Sequence, residues 1–159
     1  MKMNVDALFE VALARTLDDG GGGMIIIFTE GEMAGEAKCC LVPFRPEGPK
    51  QKAELLRRCR RLAVLHRAFA SMLVAEAWMA TSPYGDRNSL PNKLEDAPGR
   101  REVLLVNCET RDNKELRVFQ MKRDETGKLV DLPLYETHLD VFENNLNILP
   151  ARWSNQTTH

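Results

Sequence analysis

The chain has 159 residues, 43% hydrophobic and 28% charged, with a formal net charge of −1. That length suits one domain with a real hydrophobic core. Near-neutrality excludes a molecule drawn as a whole onto nucleic acid or an anionic membrane. No uncharged apolar run reaches the roughly 18 residues a membrane helix needs.

The charge is nevertheless segregated. Met1 to Glu36 carries Lys2 and Arg15 against Asp6, Glu10, Asp18, Asp19, Glu30, Glu32 and Glu36, whereas Lys50 to Arg67 carries seven Lys or Arg against Glu54 alone. The two segments are expected to be neutralised within the fold or between subunits. The four cysteines, Cys39, Cys40, Cys59 and Cys108, form no CxxC pair. They read as reduced thiols of a cytoplasmic protein that holds no cofactor and no metal. Asp6 and Glu10 interrupt the N-terminal apolar stretch, so no secretory signal is expected.

Val5, Leu8, Val11, Ala12 and Leu17 recur at helical spacing after Asn4, a good N-cap, and Asp6 suits the first turn. Gly20 to Gly23 end that helix as a linker. They are not a phosphate loop, because such a loop follows a strand and opens a helix. MIIIFTE and EAKCCLVPF are β-rich runs separated by GEMAG, which predicts a hairpin. The segment from Pro49 to Ala68 is the clearest helix. Leu55, Cys59, Leu62, His66 and Phe69 fall along one line of it, with Arg57, Arg60, Arg61 and Arg67 on the opposite side.

A helix continuing to Ser82 would be about 45 Å long, too long for a domain of this size. The sequence therefore predicts a break near Phe69 and a buried strand from about Ser71 to Ala80. Residues 81–101, rich in Pro, Gly, Asp and Asn, form a long loop. EVLLVNCET and ELRVFQMKR flank RDNK as a second hairpin, and LVDLPL follows the DETGK turn as a short strand. Thr137 and Asp140 resemble a capping box opening a last helix through Leu139, Phe142, Leu146 and Leu149. Residues 151–159 are a polar tail. The expected fold is one α+β domain in the order α-ββ-α-βββ-α, an antiparallel sheet of about five or six strands with two or three helices on one face.

Function is less marked. On a strand, Glu76 would share a largely apolar face with Met72, Val74 and Trp78, where desolvation raises a carboxylate pKa. With Glu109 on the next strand and His66 upstream, this offers an acid–base or hydrolytic constellation. The competing reading pairs Glu76 with an arginine such as Arg101 or Arg117 near the sheet rim. Cys59 and His66, seven apart on one helical face, lack the further ligands zinc needs. The basic helix 50–67, through Arg57, Arg58, Arg60, Arg61 and Arg67, could contact phosphates, but no aromatic residues interleave to stack on bases. No GxSxG or HExxH motif occurs. The preferred expectation is a non-catalytic domain acting through homo-oligomerisation or as a subunit of a larger assembly. An acid–base enzyme is the alternative, and a nucleic-acid-associated protein the weaker one.

Overall fold

The structure, a computed structural model, describes residues 4–79 and 99–135. Helix α1 (Val5–Asp19) leads into the hairpin β1 (Met24–Glu30) and β2 (Ala37–Pro43). Helix α2 (Pro49–Leu65) follows, then β3 (Ala70–Met79), β4 (Arg101–Thr110) and β5 (Lys114–Gln120). Two short strands, β6 (Lys122–Arg123) and β7 (Leu129–Asp131), pair as a separate ribbon. The main sheet has five strands in the order β2-β1-β3-β4-β5, each pair antiparallel. The expected C-terminal helix, the tail and all but the end of the expected 81–101 loop lie outside the described residues.

The helices do not share one face of the sheet, as the sequence reading had them. Leu8, Phe9 and Ala12 of α1 pack with Ile26, Phe28, Met72, Val74, Leu104 and Val106. Leu56, Cys59 and Ala63 of α2 pack with Ile25 and Ile27 on the other side. The reason is the run MIIIF: successive strand residues point to opposite faces, and here both sets are apolar. Each isoleucine fully removed from water contributes about 1.5–3 kcal/mol, so a cover on one face alone would forgo half of that gain. This arrangement sets α1 and the basic helix on opposite faces of the sheet, so the acidic residues of α1 do not pair with that helix. Asp6 instead meets Arg117 of β5 at 2.7 Å, and Arg117 lies over the Phe9 ring, 4.0 Å from its centroid.

Local signals explain most element ends. Asn4 Oδ1 accepts the Asp6 N–H at 3.0 Å, and Gly20 closes α1 in the left-handed region at φ 77°. Helix α2 starts on Pro49 after Gly48. It stops where no glycine or proline stands. Arg67 takes φ 53°, its N–H reaches the Val64 carbonyl at 3.3 Å, and the Ala68 N–H reaches the Ala63 carbonyl at 2.9 Å. These bonds are a Schellman turn with arginine at the position glycine usually fills. It ends the helix three residues before the expected Ala68 and returns the chain to the sheet at Ala70, within a residue of the expected strand start.

Holding a side chain at left-handed φ costs roughly 1–2 kcal/mol. Arg67→Gly should therefore raise stability by about 0.5–1 kcal/mol after the extra unfolded-state entropy of glycine, read as a higher midpoint in urea unfolding with an unchanged slope.

Candidate functional site

The strand register separates the expected acid–base group. Glu76 stands opposite Leu104, and Glu109 stands opposite Ser71. Direct cross-strand partners share a face, and Glu109 is five residues from Leu104 along β4, so the two carboxylates point to opposite sides of the sheet. His66 joins neither. It is the C-cap of α2 and exposed, because the chain leaves the helical line there; the helix buries Leu56, Cys59 and Ala63 instead. Cys59 is wholly buried whereas His66 is exposed, so the two do not share one environment, and no group of three or more candidate metal ligands occurs among the described residues.

Each carboxylate has a local structural role. Glu109 is nearly buried, with Lys114 Nζ at 3.6 Å. On its face lie Ser71, also buried, and Asn107, whose buried Oδ1 accepts no hydrogen bond. Glu76 lies at the sheet rim, where β3 runs on beyond β1: β1 pairs only with Ala70 to Val74. The glycine linker fills the space that a longer β1 would occupy. Gly23 N–H donates to the Val74 carbonyl at 2.9 Å, and Gly22 N–H donates to Glu76 Oε1 at 3.1 Å. A Cβ at Gly21 would lie 2.6 Å from Glu76 Oε1, and one at Gly22 would lie 2.7 Å from Leu104 Cδ1. The linker is thus a fitted piece of the sheet rim, and glycine is needed for close approach.

Arg123 completes this rim, a role that lone residues in the sequence did not reveal. It makes a two-pronged pair with Glu102, Nη2–Oε1 2.7 Å and Nε–Oε2 3.0 Å, and comes to 4.0 Å of Glu76. Its bond holds the Glu102 carboxyl below the ordinary value. Arg100 lies over the half-exposed Trp78 ring, 5.0 Å from its centroid. Arg101 and Arg117, the partners foreseen for Glu76, serve elsewhere, over Tyr135 and Phe9. Burial pushes the Cys39 and Cys59 thiols up, and Cys108 to about 12, which lowers their thiolate share.

Two surfaces remain among the described residues. On α2, Arg57, Arg60, Arg61, Val64 and Leu65 wall a shallow hollow of about 530 Å3; Arg67 belongs to the terminating turn. The second surface is the outer edge of β2, with which no strand among the described residues pairs. Gly31 N–H bonds the Glu36 carbonyl and Phe44 N–H bonds the Gly23 carbonyl, at 2.7 and 2.8 Å. Hydrogen-bonded pairs alternate in an antiparallel ladder, so Lys38, Cys40 and Val42 bond to β1, while Ala37, Cys39 and Leu41 turn their main chain outward. Beside this edge an open cleft of about 600 Å3 is lined by Arg15, Asp19, Gly21 to Gly23, Met24, Leu41, Pro43 and Arg45. The far edge differs: Gln120 N–H bonds the Pro133 carbonyl and Tyr135 N–H the Val118 carbonyl, so 133–135 cover part of β5.

Comparison with protein-family models, with curated proteins and with solved structures finds no match in any of the three.

Gly22→Ala should cost about 1–3 kcal/mol, because Leu104 is fully buried and has little room to withdraw; thermal unfolding of the variant against wild type checks this. The Glu102–Arg123 pair gives a pH signature. Folding lowers the Glu102 pKa, so the stabilisation is complete above the unfolded carboxyl value of 4.5 and is lost as pH falls through the lower folded value. Glu102→Gln should cost about 0.5–1 kcal/mol at neutral pH, and urea unfolding should show that gap shrinking only on the acid side of 4.5.

Proposed function

We propose that this chain is a non-catalytic domain that works by assembly, as a homo-oligomer or as a subunit of a larger complex, with the β2 edge as its docking element. The observation that carries the reading is the row of outward main-chain groups at Ala37, Cys39 and Leu41. Such an edge is a template for another strand, and proteins usually blunt it with charge, proline or a covering segment. Here Lys38 is the only charged residue of the strand, and Pro43 removes a donor only at its end. On the same strand Cys39 and Leu41 are exposed.

Two further observations favour assembly over the other readings. Glu76 and Glu109 occupy opposite faces, which leaves acid–base chemistry without a shared site. The α2 hollow is walled by arginine stems with Val64 and Leu65, a mixed surface that suits a protein partner better than a phosphate backbone. On this reading the domain is cytoplasmic and its thiols stay reduced.

Amide hydrogen exchange tests the proposal. The amides of Lys38, Cys40 and Val42 should be protected at every concentration, whereas those of Ala37, Cys39 and Leu41 should become protected only as the protein self-associates or meets its partner. Leu41→Lys should keep the fold and weaken association at least about tenfold. Outward amides that stay unprotected in an associated state would show that another surface carries the contact.

A further inference from the structure

The geometry points to a second copy of this chain as the partner on that edge. We infer that β2 pairs antiparallel with β2 of the other copy about a two-fold axis through Cys40, joining the two sheets into one of ten strands. This rests on the assembly reading and goes further, naming partner, direction and register.

The register follows from parity. Only Ala37, Cys39, Leu41 and Pro43 face outward, and antiparallel hydrogen-bonded pairs must join outward residues on both strands. All four are odd-numbered, so the two-fold axis falls on a residue and never between two. Full overlap of Ala37–Pro43 centres it on Cys40. Cys39 then faces Leu41 of the other copy twice over, and each Ala37 N–H meets a Pro43 carbonyl, for about six new main-chain bonds. Proline's missing donor falls at the outermost pairs, where it costs least.

Side chains fit the same register. On the α1 side, exposed Cys39 and Leu41 cover each other across the axis. On the α2 side, Lys38 falls opposite Val42, so no like charges oppose one another in the contact. Beyond the strand the charges complement. The hairpin tip carries Glu30, Glu36 and Glu32, the last paired with Lys38 at 3.6 Å, and the open base carries Arg45 beside the Arg15–Asp19 pair, 3.1 Å apart. Antiparallel pairing sets Glu36 opposite Phe44 of the other copy, one residue from its Arg45, whereas a parallel arrangement would set tip against tip. The apolar strip is narrow, so the contact belongs to the weaker, reversible class of interfaces.

The cysteines make the register measurable. Across a two-fold at Cys40 the two Cys40 residues form a non-hydrogen-bonded pair, with Cα atoms about 4.5 Å apart, inside the span of a disulfide. The two Cys39 residues would be about 8 Å apart, outside it. Cys59 lies near Cys40 and would compete for it, so the full chain is prepared with C39S, C59A and C108A, leaving Cys40 alone, and with C40S, C59A and C108A, leaving Cys39 alone. After diamide oxidation, non-reducing electrophoresis should show a covalent dimer at least about fivefold more abundant with Cys40 than with Cys39. In the otherwise wild-type chain, Cys39→Pro removes one outward N–H that no intrachain bond uses, and should leave a folded protein whose dimerisation by sedimentation is at least about tenfold weaker. Preferential cross-linking through Cys39 overturns the register, and unchanged dimerisation of Cys39→Pro overturns the β2 contact, while self-association itself keeps the assembly reading. A chain monomeric to high concentration overturns self-pairing; capture of a different protein on the protected edge would then retain only the broader reading.

Discussion

Double-sided burial of β1 is the constraint on which the rest of this structure depends. Ile25 and Ile27 face one helix, and Ile26 and Phe28 face the other. A strand of this kind has no solvent face, so it requires two covers and two neighbouring strands. It receives α1 and α2 on its faces, and β2 and β3 on its edges. The chain reaches this state by alternating helix and strand pair, which moves it from one side of the sheet to the other. The consequence is that β2, the other arm of the first hairpin, lies at the margin with half its main-chain groups directed away from the sheet.

The same constraint explains the sheet rim. Because β1 pairs with β3 only as far as Val74, β3 would be left without a neighbour from Ala75 onward on that side. Gly21 and Gly22 cross that gap in contact with Glu76, and the Glu76 carboxylate accepts a main-chain N–H as a strand carbonyl would. Arg123, brought up by the β6–β7 ribbon, supplies the charge that keeps Glu76 and Glu102 together. Glu76 thus closes the structure between α1 and β1, and it does so while partly open to solvent. Its partners at the rim are the Gly22 N–H and, at 4.0 Å, the Arg123 guanidinium.

How much of this was readable from sequence depended on the range of the signal. The Asn4 cap, both hairpins and the strand after Phe69 rest on residues within a few positions of each other, and each appears where the pattern put it. The end of α2 was foreseen only from the length of the domain, since its terminating turn uses Arg67, a residue with no stop signal of its own. His66 was misplaced for the same reason: helical periodicity was carried on to Phe69, four residues past the end of α2 at Leu65. The run MIIIF already demanded two covers, although the pattern of helices alone suggested one face. Register was out of reach. Whether Glu76 and Glu109 converge depends on the parity of their separation across β3 and β4, which a one-residue shift would reverse. Arg123 was equally hidden, since it reaches Glu102 from twenty-one residues away.

Strand order is the most distant of these signals. Composition made β2 an ordinary hydrophobic strand, and hairpin pairing with β1 fixed one of its edges. Nothing local determines that β3 occupies the other side of β1 and leaves β2 outermost. Once that is so, hairpin geometry dictates which residues face out, because pairing with β1 uses the even-numbered main-chain groups from Lys38 to Val42 and releases the odd ones. The two adjacent cysteines then acquire different roles from their parity alone: Cys40 bonds inward and packs toward α2, while Cys39 presents its main chain to whatever approaches the edge. The open β2 edge is therefore a by-product of how β1 is buried. Moving β2 inward would take a further strand on its flank, and among the described residues none is placed there.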